Sequence, residues 1–340
     1  MSRHYLITGG AGFIGSHLAE FLCRRGHQIT VLDDLSCGSF ANLTSLWRHQ
    51  SFRFIEGSVH DRPLVENLVS NADRVVHLAA TVGVMQVFER PHEAFRSNVL
   101  GTATVLSAAA AARTRILLAS SSEVYGPAGP GHDGSGLCET QRTDPERLQG
   151  RRWFYARSKL MNEENALGLF RERNVPVVIT RLFNTIGPRQ SGAVGMVVPR
   201  FVERALKGDP IEIFGDGTQT RCFAWVGDVV RCLSGLIECP AATGRIVNVG
   251  SQEEVSIGEL ARRITVLTGS GVPKRSVPYE EAYGPGFEDT PQRRPNTSRL
   301  QRLLGHTPDT PLEEALRRII RAAQDRSAEK KPVRSFSAAQ

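Results

Sequence analysis

The segment that most restricts the fold of this 340-residue chain is Thr8-Gly9-Gly10-Ala11-Gly12-Phe13-Ile14-Gly15, set between an apolar run and a helical pattern. Glycines at 9, 12 and 15 permit a tight turn, a close approach of backbone to a diphosphate, and close packing of helix on strand. The free N–H groups at the helix start then face the diphosphate. A glycine-rich turn says little alone; between a strand and a helix it reads as a dinucleotide site. The second strand-like run leads into Asp33. An acidic side chain there accepts hydrogen bonds from both ribose hydroxyls and repels a 2′-phosphate, so the expected cofactor is NAD rather than NADP. Asp61, just past the third run, can meet the adenine amino group or cap a helix equally well.

Strand-like runs at 4–8, 28–32, 53–56, 74–77, 115–120 and 177–181 alternate with helical patterns at 12–24, 63–70, 92–112 and 155–173. This alternation predicts an α/β fold, a Rossmann-type doubly wound parallel sheet with right-handed crossovers, over residues 1–182. Within it, residues 126–150 are rich in Gly, Pro and Asp and are read as a lid loop. Residues 183–325 predict a smaller mixed α/β substrate domain, with some segments returning to the sheet. Helices are expected there at 198–206, 257–267 and 312–323, and a strand at 210–214. Residues 326–340 are polar and basic and are read as a disordered tail.

Composition narrows the class. Hydrophobic residues make up 40% and charged residues 23%, enough for a packed core. No stretch approaches the roughly 18 apolar residues of a membrane span. The N-terminal residues run directly into a strand, which reads as a chain with no signal peptide. The six cysteines show no CxxC pair and no metal spacing, so they are expected as reduced thiols of a cytoplasmic protein with no metal site. The net charge of +7 comes with no nucleic-acid motif. It is assigned to the basic tail and to pocket arginines that meet an anionic ligand.

The fifth strand-like run delivers Ser120-Ser121-Ser122-Glu123-Val124-Tyr125-Gly126 at its C-terminal end, where open α/β sheets bind ligands. Further on, Tyr155-Ala156-Arg157-Ser158-Lys159 places Tyr155 and Lys159 on one helix face. A free tyrosine has a pKa near 10, too high for a base at neutral pH. A neighbouring ammonium and a positive nicotinamide ring favour the phenolate. Such a phenolate takes the proton of an alcohol while hydride leaves to NAD.

TGGAGFIG, the Asp33 strand end, His77-Leu78-Ala79-Ala80, Asn98-xx-Gly101-Thr102, SSSEVYG, YARSK and RLFNTIGPR (181–189) together resemble an extended short-chain dehydrogenase/reductase. The resemblance covers residues 4 to about 322. Members of that family are mostly NAD-dependent epimerases, dehydratases and decarboxylases of nucleotide sugars. It implies that Ser122, Tyr155 and Lys159 are catalytic. It implies cofactor contacts from Gly9, Gly12, Phe13, Ile14, Gly15, Asp33, Asp61, Leu78, Ala79, Ala80, Asn98, Ser120, Tyr155 and Lys159. It also implies a homodimer through the helices near 92–112 and 155–173.

The second part carries Asn184, Arg189, Met196-Val197-Val198-Pro199-Arg200, Gly217-Thr218-Gln219-Thr220-Arg221 and Gln292-Arg293-Arg294-Pro295. A sugar diphosphate needs fixed cations, which arginine supplies bidentately. In similar enzymes the residues matching Asn184 and Arg221 hold the diphosphate, and the Val197-Val198-Pro199 segment cradles the base. Arg189, Arg200 and Arg293 join the expected substrate set, whereas Arg157, Arg262 and Arg263 are expected as solvated surface charges.

Oxidation of the sugar 4-hydroxyl opens three fates for the ketone: reduction on the other face, elimination of the 6-hydroxyl, or loss of a 6-carboxylate. Dehydratases of the family carry Asp-Glu where this chain has Ser122-Glu123, which disfavours elimination. Ser122-Glu123, Arg152-Trp153-x-Tyr155 and Arg293 resemble UDP-glucuronate decarboxylases, in which the matching Glu and Arg handle position 5 and the carboxylate. Thr81-Val82-Gly83-Val84 departs from that pattern and is closer to epimerases. Decarboxylation of UDP-glucuronate to a UDP-pentose therefore stands first. A UDP-glucose or UDP-glucuronate 4-epimerase stands second, ahead of a 4,6-dehydratase and a non-catalytic NAD-binding scaffold. The expected partner is a UDP-linked sugar, with no nucleic acid and no membrane.

Overall fold

A computed structural model describes residues 1–82, 91–127, 135–141, 143–150, 153–192, 195–284, 287 and 289–329. Seven parallel strands form its main sheet: β1 (His4–Thr8), β2 (Gln28–Asp33), β3 (Phe52–Glu56), β4 (Arg74–His77), β5 (Arg115–Ser121), β6 (Val177–Leu182) and β7 (Arg245–Val249). Their spatial order is β7-β6-β5-β4-β1-β2-β3. The chain begins in the middle, winds outward to β3, then crosses back to β4. That reversal opens a crevice at the strand ends beside β1 and β4, where doubly wound sheets take ligands. This is the expected Rossmann-type sheet. β4, β5 and β6 are buried almost throughout, as strands covered on both faces must be.

Helices α1 (Phe13–Cys23), α2 (Arg62–Ser70), α3 (Thr102–Ala112) and α4 (Phe154–Arg173) supply crossovers. One face packs Leu18, Leu22, Val31 and Val76 with Val229, Leu233 and Leu236 of a later helix. The other packs Val65, Val69, Val105, Leu106, Ile116 and Ile179. The expected unbroken helix over 92–112 is instead three pieces: a short helix at Pro91–Phe95, a π-helical stretch at Arg96–Gly101, and α3. The wide turn lies where the Asn98 amide is held by the Thr81 backbone on both sides, at 2.7 and 3.1 Å. Gly101 allows the close approach, since a Cβ there meets Val59 at 2.7 Å.

After β6 come α5 (Val197–Lys207), α6 (Val226–Glu238), α7 (Ile257–Thr268) and α8 (Leu312–Glu329). α5, α7 and α8 share a second core of Val198, Phe201, Ile211, Leu260, Ile264 and Leu316. A three-stranded sheet joins Thr220–Cys222 to Glu254–Ser256 and Gln292–Arg293, while Ile211–Phe214 pairs with Lys274–Val277. α6 packs on α1 and β7 extends the main sheet, so the chain returns to the first lobe after entering the second.

Two expectations need correction. Residues 326–329 continue α8 rather than beginning a tail: Arg326 and Ser327 donate to the Ala322 and Ala323 carbonyls of the preceding turn. Residues 330–340 lie outside the described set. The described residues of 126–150 are docked against the body. Leu137 donates to Arg294 O at 2.8 Å, and Glu139 accepts from Asn248 N at 2.9 Å. Leu137 and Leu148 are buried with Tyr125 and Trp153. Residues 128–134 and 142 of the expected lid, Arg152, and Gly83 and Val84 lie outside the described residues.

Candidate active site

A cavity of about 1370 Å³ runs between the two lobes. From the first lobe it is lined by Gly9, Gly12, Phe13, Ile14, Gly15, Asp33, Leu78, Ala79, Ala80 and Ser120. Ser121, Ser122, Glu123, Tyr155 and Lys159 line it as well. The second part of the chain contributes Asn184, Arg189, Val197, Val198, Arg200, Arg221 and Arg293. Two expected cofactor residues stay outside. Asp61 caps α2 by accepting from Leu64 N at 3.1 Å. Asn98 is wholly buried beneath Thr81 and shapes the wall rather than forming it. No described residue of 126–150 lines the cavity, which removes the ground for a lid in that part.

The glycine turn is built as its spacing requires. Gly9 has φ +73°, a conformation that favours glycine, and its N–H donates to Leu32 O at 2.9 Å. Gly15 packs so closely that a Cβ would stand 2.3 Å from Gly9 O. Asp33 accepts from Ala11 N at 2.9 Å and Leu35 N at 2.8 Å, which fixes its carboxylate at the cavity wall. Burial pushes its pKa up, and those two N–H groups counter the shift. Helix-start N–H groups, a glycine cradle and a fixed carboxylate suit the diphosphate and ribose of a dinucleotide.

Tyr155 and Lys159 share the cavity face of α4, with the ammonium 5.8 Å from the phenol ring centroid. Lys159 is 3% exposed and donates to Ala119 O at 3.0 Å. Burial lowers its pKa to about 8, with the Glu163 carboxylate acting the other way. The phenol does not follow the expected direction. Burial and the Glu123 carboxylate hold the Tyr155 pKa above its ordinary value, and a hydrogen bond from Ser121 opposes them. The neighbouring ammonium does not bring the phenol below its ordinary value; the positive ring of a bound cofactor would act in the lowering direction.

The serine that acts on the Tyr155 phenol, lowering its pKa, is Ser121, not the expected Ser122. β5 ends at Ser121, and Ser122 opens a tight turn, 3% exposed. Three consecutive serines cannot be told apart by type; Ser120 bonds Glu163 of α4, and Ser121, where the strand ends, reaches Tyr155. Glu123 is ion-paired with Arg293, which is 5% exposed and also donates to Thr290 Oγ1 at 3.2 Å. Arg221 is paired with Asp289 at 2.7 Å, and burial lowers its pKa while Asp289 raises it. Arg189 bonds Glu20 of α1 at 2.9 Å, and Arg200 lies 3.8 Å over the Phe214 ring. Arg157 is no solvated charge: it donates to Leu148 O at 2.8 Å. Arg262 is the exposed partner of Glu259, whereas Arg263 is half-buried between Glu259 and Glu253.

Sequence reasoning missed Ala322, Asp325 and Arg326, which line the cavity from the last turns of α8. The signal was present in the helical spacing, but the helix was expected to stop sooner. Among the described residues, no helix is long and apolar enough to cross a membrane.

A glycine turn for a dinucleotide opposite a Tyr-xxx-Lys helix defines an oxidoreductase-type site of the short-chain dehydrogenase/reductase class. Residues 5–250 match the NAD dependent epimerase/dehydratase family; the chain belongs to that family, and NAD is its cofactor. It is 38% identical over 325 residues to a UDP-N-acetyl-alpha-D-glucosaminuronate decarboxylase of Bacillus cytotoxicus, covering 94% of this chain and 97% of the relative. It is 35% identical over 319 residues to UDP-glucuronic acid decarboxylase 1 of Xenopus tropicalis, covering 94% and 71%. The solved UDP-glucuronic acid 4-epimerase of Bacillus cereus, in complex with UDP-glucuronic acid and NAD, superposes with a TM-score of 0.85. That pair is 26% identical, over 95% of this chain and 99% of the other. These likenesses span both lobes, so they include the wall carrying Arg221 and Arg293.

Proposed function

We propose that the chain decarboxylates a UDP-linked hexuronate through a 4-keto intermediate. The observation that carries this reading is the Glu123–Arg293 ion pair in the wall beside Tyr155. A buried guanidinium there binds a carboxylate, and the sugars of the two decarboxylases named above are uronates.

Tyr155 takes the proton of the sugar 4-hydroxyl, with Ser121 beside the phenol orienting the oxygen. The Lys159 ammonium, 5.8 Å from the ring centroid, favours the charged phenol on general electrostatic grounds. NAD held by Gly9, Gly12, Gly15 and Asp33 would supply the hydride acceptor for carbon 4 and, afterwards, the hydride donor to the ketone. With carbon 4 a ketone, the 6-carboxylate is β to it. The carbon 5–carbon 6 bond breaks, its electron pair moves toward the ketone oxygen, and carbon dioxide leaves. Carbon 5 then takes a proton that Glu123 relays from solvent, and Tyr155 returns its proton to oxygen 4 as the ketone is reduced. Arg293 holds the carboxylate and Glu123 serves carbon 5. Arg221, Asn184 and Arg189 hold the diphosphate, and Val197, Val198 and Arg200 frame the base.

The chain acts as a cytoplasmic homodimer on this reading. Leu100 and Met161, 48% and 47% exposed on adjoining elements, supply apolar surface for a second copy. A 4-epimerase would use the same tyrosine and cofactor, so the product separates the two readings. Purified enzyme with NAD is incubated with UDP-glucuronate and, separately, UDP-N-acetylglucosaminuronate. Carbon dioxide and a UDP-pentose or its N-acetylamino counterpart are expected; a 4-epimeric uronate without carbon dioxide overturns the decarboxylase reading.

A further inference from the structure

Behind the cavity wall lies a buried charged cluster that the reaction above does not use. Glu163 is 1% exposed and follows Lys159 by one helical turn on α4. Its carboxylate accepts from Arg181 of β6 through Nε at 3.0 Å and Nη2 at 2.7 Å. It also accepts from the Ser120 hydroxyl at the end of β5. Arg181 in turn lies 4.6 Å over the Tyr125 ring, and Tyr125 donates to Asn248 of β7 at 2.7 Å. One carboxylate thus ties the Tyr155–Lys159 helix to two central strands.

We propose that Glu163 is a positioning residue for hydride transfer: clamped by Ser120 and Arg181, its carboxylate keeps Lys159 an ammonium fixed below Tyr155. The inference rests on the reading of Tyr155 and Lys159 as the proton-handling pair. A buried ammonium without a counter-charge gives up its proton, because desolvation penalises the charged form. The titratable groups around Lys159 are Tyr155 and Glu163 on α4, His77 on β4, and Arg181 behind Glu163 on β6. His77 is neutral at working pH, since burial and then Lys159 push its pKa down to about 3. Arg181 is held charged: burial opposes this, and Glu163 outweighs it. Glu163 is therefore the carboxylate that offsets the burial of Lys159.

The chain has five lysines, so full-length enzyme labelled with carbon-13 at lysine Cε gives a readable titration, assigned with Lys159→Arg. The Lys159 signal in wild type is expected to titrate near pH 8. Glu163→Gln is expected to lower that midpoint by about one unit or more. The alkaline limb of the pH profile for NAD-dependent turnover of UDP-glucuronate should move with it. Glu163→Asp, which keeps the charge, is expected to restore both. Glu163→Gln leaves Arg181 without its carboxylate; if it does not fold, Glu163→Gln with Arg181→Met removes both charges and is read the same way. An unchanged Lys159 midpoint in a folded Glu163→Gln variant overturns the proposal. That result is distinct from failure of the proton-handling reading, which shows as wild-type turnover in Tyr155→Phe.

Discussion

Gly12 and Gly15 are predicted to fail differently when each gains a methyl group. At Gly15 a Cβ stands 2.3 Å from Gly9 O, 2.7 Å from Gly10 Cα and 3.0 Å from Gly9 C. Backbone cannot yield as a side chain does. The turn is also pinned by Gly9 N–H on Leu32 O, and a side-chain carbon at Gly9 would meet Ala79 N at 2.6 Å. Relief requires the turn to move by roughly 0.7 Å, since side-chain carbons essentially never approach within 3.0 Å. Overpacking of this kind costs about 1–3 kcal/mol. For a chain of 340 residues that lowers Tm by roughly 1–4 °C. Gly12 has φ −74° and ψ −178°, extended backbone that any residue adopts, and its Cβ would meet only Gly9 O at 3.2 Å. Gly12→Ala should therefore keep Tm within about 0.5 °C of wild type. It should still weaken NAD binding about tenfold or more, near 1.4 kcal/mol, because the methyl group fills the diphosphate cradle. Gly15→Ala should lose both stability and affinity. Thermal melts without ligand and calorimetric titration with NAD read the two quantities separately. A wild-type Tm for Gly15→Ala, or undiminished NAD affinity for Gly12→Ala, refutes the reasoning from the turn.

Tyr155→Phe is expected to cut turnover by about 10²-fold or more while NAD affinity measured by titration stays within twofold; a parallel loss of binding would mean that the phenol serves structure. Glu123→Gln breaks the pair with Arg293 and should lower carbon dioxide release far more than hydride exchange at carbon 4; equal losses would remove Glu123 from the carbon 5 step. His77 lies between the Thr8 and Thr102 hydroxyls at 2.7 and 2.9 Å, and its pKa is pushed down to about 3. In the unfolded chain it titrates near 6.5, so on acidification the unfolded state binds a proton that the folded state refuses. Stability present above about pH 6.5 is thus lost as the pH falls toward 3. A His77→Gln variant should show a flatter fall of Tm across that range, and identical slopes in the two proteins would contradict the assignment.

Local chemistry that repeats along the chain was legible in the sequence. The strand–glycine–helix unit, the Asp33 strand end and the i, i+4 Tyr155–Lys159 pair each follow from spacing within one element, and the cavity contains all of them. What depends on distant elements was not legible. Ser121 rather than Ser122 meets Tyr155 because of where β5 ends. Arg157 lost its expected solvation to Leu148, and Asn98 widened a helix through Thr81, a partner 17 residues away. Glu163 carries no motif of its own; its role follows from Arg181 and Ser120, which the strand order β6-β5 brings together. α8 outran its expected end because backbone hydrogen bonds continue through polar residues as readily as through apolar ones.

The claim beneath the whole account is that carbon 4 of a UDP-linked uronate gives up a hydride before carbon dioxide leaves. The direct measurement is a single turnover of the NAD-loaded enzyme with UDP-glucuronate carrying deuterium at carbon 4, followed by cofactor reduction and carbon dioxide release together. Reduction that precedes carbon dioxide, with both slowed by a primary isotope effect, is the predicted result. Carbon dioxide released at the same rate from the deuterated and ordinary sugars, with no reduction of the cofactor, contradicts it.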